Sequence, residues 1–355
     1  MKARRLISAR LIAAVAVGTL AVSAGVAGAT SAPPDSEPAA GASSAAPATT
    51  ATTDAPTTTE ATTTTEAPTT TAAPAVTYPL TGVVAPADYT PRPALIVKID
   101  NVNAQPQAGL NEADIVFEEI VEGATRFAAV FNSTDSDPVG PIRSGRVQDV
   151  ALFSSYNDPI FAFSGGNDTV VGALQATGWT LLTQGNGMFR DGSRSAPHNL
   201  FGNTSEFFAL AGESGEAVPQ FEYGTPAGSP VSSMNVDMAG RNVEWTWDAA
   251  QGLFLRSVNG DTHDTTTGQF STNNVIVLVV PYGNSSDGNP EAQTTGTGPA
   301  VVYANGLKTE GTWTREDASQ PFTLTDGSGN PIVLTPGRTV VELAETGASI
   351  GDTPA

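Results

Sequence analysis

The 355-residue chain contains no cysteine. It therefore has no disulfide bond, no thiolate metal site, no cysteine nucleophile and no cysteine to carry a lipid. Histidine is almost as scarce, since the two in the chain, His198 and His263, lie far apart in the sequence. Zinc sites draw mainly on cysteine and histidine, so we expect no zinc site. We predict no other metal and no cofactor.

Positive charge is also scarce, because 16 lysines and arginines face 36 acidic residues and give a formal net charge of -20. Four of these cations, at positions 2, 4, 5 and 10, precede an apolar run and the small residues Ala27–Ala29. This pattern predicts a secretory signal peptide over residues 1–29. Its removal moves the net charge from -20 to -24, because it carries four cations and no acids. Nucleic-acid binding requires cations that neutralise phosphates, so it is disfavoured.

Residues 30–76 have no large apolar periodicity and consist mostly of Ala, Thr, Pro and Ser. Such a composition predicts a disordered linker. Nothing after residue 29 is long and apolar enough to span a membrane. From the predicted signal peptide we expect an extracytoplasmic protein, secreted or associated with the cell wall. The sequence does not indicate an oligomeric state.

Beyond the linker, the sequence pattern changes once, near residue 228, from mixed strand and helix patterns to strand patterns alone. Residues 77–227 alternate buried-strand and helix patterns, which predicts a mixed α/β layered domain. Residues 228–347 contain short strand patterns separated by Asn-Gly and Asp-Gly turns, which predicts a smaller β-rich domain. We therefore predict an α+β fold with two domains, followed by a disordered tail at residues 348–355.

The few cations of the first domain are gathered at strand ends and loops. The stretch Val139–Asp149 places Arg143 and Arg146 beside a Gly-Pro turn. Arginine forks can receive a ligand's carboxylate or phosphate. They can equally pair with internal acids such as Glu118, Glu122 and Asp149 and brace the fold. The residues alone leave both roles open.

Several stretches, in matching order, resemble the YerB-like family of bacterial envelope proteins, a group of unknown function whose members are often lipoproteins. In the first domain they are Val97–Asn101, Pro106–Leu110, Ala113–Glu118, Val121–Gly123, Thr125–Phe127, Gly140–Ser144, Ser164–Gly166 and Arg194–Leu200. In the second domain they are Asn274–Val277, Gly311–Trp313 and Leu334–Gly337. The resemblance covers roughly residues 80 to 345 and implies an α/β N-terminal domain and an envelope location. The chain departs from the family in lacking an acceptor cysteine, so lipid anchoring is not expected.

Most of the polar residues in question fall within these stretches, which favours a binding site. The predicted ligand-binding residues are Lys98, Asp100, Asn101, Arg126, Arg143, Ser144, Arg146, Arg190, Arg194, His198 and Asn199. The leading hypothesis is a non-catalytic module that binds an anionic cell-wall component through this set.

Two alternatives remain. One is a hydrolase or transferase acting on envelope material, with Glu118, Glu122 and His198 as candidate catalytic residues. In it, His198 serves as a base for Ser144 or Ser164, or Glu118 and Glu122 act as paired carboxylates. The other is a scaffold whose charged cluster is an internal ion-pair network.

Overall fold

The structure, a computed structural model, describes residues 75–355. The predicted signal peptide and nearly all of the predicted linker lie outside this range. The first half contains strands β1 Leu95–Asp100, β2 Ile115–Val121, β3 Ala124–Phe131, β4 Ile160–Ala162, β5 Thr180–Leu182, β6 Phe189–Arg190 and β7 Leu200–Phe201. It also contains helices α1 Gln148–Phe153, α2 Asp168–Gln175 and α3 Thr204–Phe208, and a 3-10 turn at Ser154–Tyr156.

The second half of the described chain contains only strands. They are β8 Ser229–Asp237, β9 Asn242–Asp248, β10 Leu253–Val258, β11 Asp261–Thr262, β12 Asp264–Thr265, β13 Gly268–Gln269, β14 Ser271–Thr272, β15 Asn274–Val280, β16 Tyr282–Asn284, β17 Pro290–Ala292, β18 Gly296–Ala304, β19 Leu307–Arg315, β20 Thr323–Asp326, β21 Thr339–Glu345 and β22 Ile350–Pro354. The prediction of an α+β fold is therefore confirmed only as far as a broadly β-rich fold. Within residues 75–355, no helix is both long and apolar enough to cross a bilayer.

Strands β1, β2 and β3 form the centre of the first half. Every residue in all three is buried, as expected of runs rich in Val, Ile and Phe that are covered on both faces. Strands β2 and β3 form a hairpin, with Val121 opposite Ala124 across a two-residue turn. Gly123 adopts a left-handed conformation there (φ 64°), which glycine does at no steric cost.

One mixed sheet of 16 strands joins the two halves. Strand β21 lies between β2 and β15 and runs parallel to both. The sheet thus contains strands from both sides of the predicted domain boundary at residues 227–228. Strand β21, close to the C-terminus, is a direct neighbour of β2.

The two faces of the sheet carry separate hydrophobic cores. Val97 and Ile99 face a core that includes Trp245 and Phe254. Ile96 packs on the opposite side with Leu152 of α1 and with Leu174 of α2. Successive strand residues point to opposite faces, so Lys98 and Asp100 share the helix-covered face with Ile96.

The chain end differs from the prediction. Residues 348–355 were expected to be disordered, but β22 pairs antiparallel with β8 along the edge of the sheet. This segment is polar and largely exposed, so apolar periodicity could not reveal it. Main-chain pairing holds it in place, together with an ion pair between Asp352 and Lys308.

The segment at residues 179–203 contains the short strands β5, β6 and β7. Strand β5 extends the sheet beside β4, and β6 pairs with β7 as a separate ribbon. Strands of two or three residues leave too short a pattern in the sequence to be recognised.

Candidate functional site

A loop running beside the end of β1 builds the site. The amide of Asp100 donates to the carbonyl of Pro141 (2.9 Å), and the amide of Arg143 donates to the carbonyl of Lys98 (2.8 Å). The carbonyl of Arg143 in turn accepts from the amide of Ser164 (2.9 Å). Main-chain bonds on both sides therefore fix Arg143 next to Asp100.

The Asp100 carboxylate is the hub of the site. Its Oδ2 lies 2.7 Å from Nδ1 of His198 and 3.1 Å from Nε of Arg143. The contact with Arg143 is a charge contact, because its geometry does not make a hydrogen bond. Asp100 is buried, whereas the side chains of Arg143 and His198 are 27% and 26% exposed. One buried acid thus positions two solvent-accessible groups.

Three arginines, Arg126, Arg143 and Arg146, form what we call the arginine cluster. Arg126 lies on β3 directly between Asp100 of β1 and Glu119 of β2, and its Nη1 donates to the carbonyl of Ser144 (2.9 Å). The Nε atoms of all three arginines are buried without a hydrogen-bond partner. Burial, reinforced by the positive charges of Arg146 and Arg143, lowers the pKa of Arg126 to about 10. Burial and the two neighbouring guanidinium groups thus disfavour the charged form of Arg126, and Glu119 and Glu122 offset this only in part.

Glu122 lies next to the arginine cluster. Its carboxylate accepts from Nη2 of Arg146 at 2.6 Å and is 43% exposed. Partial burial is the largest single effect on the pKa of Glu122 and acts to raise it. The hydrogen bond from Arg146, a backbone hydrogen bond and the charges of Arg146 and Arg126 together outweigh burial, so the pKa falls below its usual value. Glu122 is thus the exposed counter-charge of Arg146.

Lys98 lies on the same face but is fully buried. Its ammonium group contacts Glu119 and Asp149, the latter at 2.7 Å, and Gln148 donates to the other oxygen of Glu119 (2.5 Å). Burial, together with the charge of Asp149, raises the pKa of Glu119 to about 7 although Lys98 opposes the shift. Lys98 is therefore engaged inside the protein and has no open face toward a ligand.

The remaining cations of the predicted set hold their own loop together. Arg194 donates to the carbonyls of Ala104 (3.0 Å) and Pro106 (2.5 Å). Arg190 donates to Oδ1 of Asn199 at 2.6 Å. These bonds brace the segment that presents His198, while Ser144 contributes only its carbonyl, to Arg126.

Glu118 lies on the opposite face of the sheet from Glu119. It pairs with the buried Arg256 and accepts from Thr125 (2.5 Å) and Asn101 (3.1 Å). Its neighbour on β21 is Glu342, which accepts from the indole of Trp245 at 2.9 Å. Burial, and then the charge of Glu118, raises the pKa of Glu342 well above its usual value. Glu118 and Glu122 therefore have separate partners, and the acid beside Glu118 is Glu342.

No local sequence pattern indicated the buried polar cluster around Glu118. Arg256, His263 and Glu342 come from the second half of the chain and reach Glu118 only because β21 lies next to β2. Burial and the charge of Arg256 lower the pKa of His263 well below its usual value, so this ring is neutral. His263 accepts from Arg256 and donates to Gln107.

The other chemical arrangements considered from the sequence have no matching geometry. Within residues 75–355, no serine hydroxyl lies within hydrogen-bonding distance of His198, whose only side-chain partner is Asp100. In the same range, no three acidic or histidine side chains converge in a way that could hold a metal ion.

Known proteins give a consistent picture. The family described as "Protein of unknown function (DUF3048)" matches residues 80–217 with its N-terminal domain and residues 234–341 with its C-terminal domain. The Bacillus subtilis protein named "Putative lipoprotein YerB" is 27% identical over 288 residues, which covers 75% of this chain and 85% of that protein. The crystal structure of Bacillus subtilis YerB matches with a TM-score of 0.69 at 23% identity, covering 78% of this chain and 99% of the other, and thus shares the fold.

The motifs that pointed to the YerB-like family are spread over both matched regions, and the same fold is found in YerB. The resemblance predicted from the sequence is confirmed: this chain belongs to the DUF3048 family, the YerB-like proteins of unknown function.

Proposed function

We propose that this protein is an extracytoplasmic module that binds an anionic ligand of the cell envelope through the arginine cluster. The observation that carries the proposal is the convergence of Arg126, Arg143 and Arg146, whose buried Nε groups make no hydrogen bond within residues 75–355. A buried donor without a hydrogen bond lowers the stability of the protein. An anion is the acceptor best suited to a group of three guanidinium donors.

Arg143 is the residue best placed to contact such a ligand. Its side chain is 27% exposed, and its two terminal nitrogens make no hydrogen bond within residues 75–355. A phosphate or carboxylate can accept both of these donors in the fork geometry typical of arginine. An anion here would also offset the mutual repulsion that contributes to the lowered pKa of Arg126.

The net charge of the chain supports a specific role for the cluster. With a formal net charge of -20, the protein as a whole repels anions. A local concentration of positive charge in a partly closed site strengthens attraction at that point alone. We therefore assign ligand contact to Arg126, Arg143 and Arg146, and bracing roles to Lys98, Arg190 and Arg194.

The envelope location rests on the predicted signal peptide and on the likeness to a protein named as a lipoprotein. Because this chain has no cysteine, we propose that it is secreted or wall-associated and carries no lipid. Envelope polymers rich in phosphate or carboxylate are then the available ligands.

Calorimetric titration with inorganic phosphate and with poly(glycerol phosphate) tests this function. We expect Arg143→Gln to weaken binding about 10- to 100-fold, because a hydrogen bond to a charged group contributes roughly 1.5–3 kcal/mol. Arg241→Gln is the matched control because it removes the same charge as Arg143→Gln. The side chain of Arg241 makes no hydrogen bond or ion pair within residues 75–355. Equal affinity in wild type and Arg143→Gln, or equal losses in both variants, would exclude a site at the cluster.

A further inference from the structure

His198 is an accessible group at this site that anion binding does not explain. Its Nδ1 lies 2.7 Å from the buried carboxylate of Asp100, and the ring is 26% exposed. A carboxylate only accepts hydrogen bonds, so in the neutral ring Nδ1 carries the proton and Nε2 keeps its lone pair. Within residues 75–355, Nε2 has no hydrogen-bond partner.

The ring is also held in a fixed position. The amide of His198 donates to the carbonyl of Ser195 (3.0 Å), and Arg194 ties the same loop to Ala104 and Pro106. An acid–base group works best when packing and hydrogen bonds fix its orientation beforehand. A carboxylate that binds Nδ1 and directs Nε2 outward is the arrangement by which histidine acts as a general base.

His198 lies beside the arginine cluster. The same oxygen, Oδ2 of Asp100, contacts both His198 and Arg143, so the imidazole and this guanidinium group are immediate neighbours. The site therefore combines a proton acceptor with fixed positive charges. Positive charges that offset developing negative charge at a phosphoryl centre are a large source of catalysis.

We propose that His198 is a catalytic general base for hydrolysis of a phosphate ester held by Arg126 and Arg143; this inference rests on the proposed anion-binding function. A water oxygen attacks phosphorus while Nε2 of His198 takes a proton from that water. The new bond joins the water oxygen to phosphorus, and the bond from phosphorus to the ester oxygen breaks. The departing alcohol oxygen leaves on the opposite side of phosphorus and takes a proton from solvent water. Nε2 then releases its proton to solvent, which returns the ring to its neutral form.

The surroundings favour a phosphate ester over a carboxylic ester or amide. Acyl transfer through a serine acyl-enzyme would need a serine hydroxyl next to Nε2, and none lies there within residues 75–355. Direct attack by water on phosphorus needs no such nucleophile. The charged donors of the arginine cluster also suit an anionic substrate better than the neutral carbonyl of an ester or amide.

The test uses the full-length chain with bis(4-nitrophenyl) phosphate as a diester probe and 4-nitrophenyl phosphate as a monoester probe. Release of 4-nitrophenolate gives kcat and KM, and calorimetry with inorganic phosphate gives affinity. We expect turnover of at least one probe, and we expect His198→Gln to lower its kcat about 100-fold or more while phosphate affinity changes less than 2-fold. Arg143→Gln should raise KM and weaken phosphate binding, whereas Arg241→Gln should change neither.

Failure of this inference can be told apart from failure of the proposed function. Phosphate binding that depends on Arg143, without turnover of either probe, overturns the catalytic role and leaves the binding function intact. Turnover that His198→Gln does not reduce also overturns it. Absence of both phosphate binding and turnover would contradict the two proposals together.

Discussion

At the scale of single residues, buried charges distinguish this protein most clearly. Glu118 and Arg256 form an ion pair that is almost completely shielded from water and crosses from the first half of the chain to the second. Thr125, Asn101 and His263 satisfy further atoms of the pair. Removing one partner of a buried pair leaves an uncompensated charge, which is far more costly than the pair is favourable.

We therefore expect Arg256→Met to lower the free energy of unfolding by about 3–5 kcal/mol, measured by urea denaturation at neutral pH. Lys308→Met is the control, because Lys308 pairs with Glu310 (2.8 Å) and Asp352 near the surface. Such exposed pairs contribute about 1 kcal/mol or less. Similar losses in the two variants would show that the Arg256 pair is not buried as described.

Glu342 gives a prediction about pH. Its pKa in the folded protein is raised well above its usual value by burial and by Glu118, so the folded state holds this proton more tightly than the unfolded state. The stability that the proton confers is complete below the unfolded pKa of about 4.5 and is lost as pH rises toward the folded pKa. Glutamine mimics the protonated acid at every pH.

We expect Glu342→Gln and wild type to be similarly stable near pH 4 and to diverge as pH rises, with the variant the more stable. The difference in unfolding free energy should grow by at most about 1.4 kcal/mol per pH unit, the slope for one proton. Urea denaturation over a pH series measures it. Parallel stability curves for the two proteins would mean that Glu342 is ionised in the folded state.

At the scale of elements, local patterns predicted the central strands well. The branched and aromatic runs of β1, β2 and β3 lie among the buried-strand patterns predicted for residues 77–227. One of the Asn-Gly turns of the second half, Asn305-Gly306, joins β18 to β19. These signals work because they depend only on neighbouring residues. The position of β21 between β2 and β15 depends on residues more than 200 positions apart, which no local pattern records.

The candidate site likewise has a part that local motifs predicted and a part that depends on contacts between distant residues. Asp100, Arg143 and His198 were predicted because they lie in short motifs, and the structure brings them together. The role of Lys98 as a buried partner of Glu119 and Asp149 could not be predicted, because it depends on which face of β1 the helix α1 covers. The partners of Glu118 in the second half could not be predicted either, because they lie far from Glu118 in the sequence and reach it only through the position of β21.

Strand β22 provides a prediction at this scale. Deleting residues 349–355 removes its pairing with β8 and the contact between Asp352 and Lys308. We expect a loss of about 2 kcal/mol, which corresponds to roughly 4–8 °C in Tm for a protein of this size. Differential scanning calorimetry measures it, with Asp352→Asn as the control that removes only the charge. An unchanged Tm after the deletion would show that the last strand adds nothing to stability.

At the scale of the whole molecule, the mixed sheet makes the two matched regions interdependent. Residues 75–355 fall within one compact unit, and β21 contributes seven residue pairs to β15 and four to β2. Removing the second half would expose β2 along one edge and leave Glu118 without Arg256. Exposed edges and unpaired buried charges both oppose folding.

We therefore expect a single cooperative thermal transition for the whole protein and no cooperative transition for a fragment ending at residue 227. Calorimetry of both proteins, with circular dichroism of the fragment, checks this. Two well-separated transitions, or a fragment that melts cooperatively, would instead favour domains that fold independently, as the sequence alone predicts.

The most direct test of the arginine cluster as an anion-binding site is a crystal structure of the protein soaked with tungstate. Tungstate is a phosphate analogue with a strong anomalous signal. We expect one anomalous peak within hydrogen-bonding distance of the terminal nitrogens of Arg143 and close to Arg126, and no such peak in crystals of Arg143→Gln. A wild-type crystal without a peak at the cluster, or with the peak retained in Arg143→Gln, would contradict the assignment of the arginine cluster as the binding site.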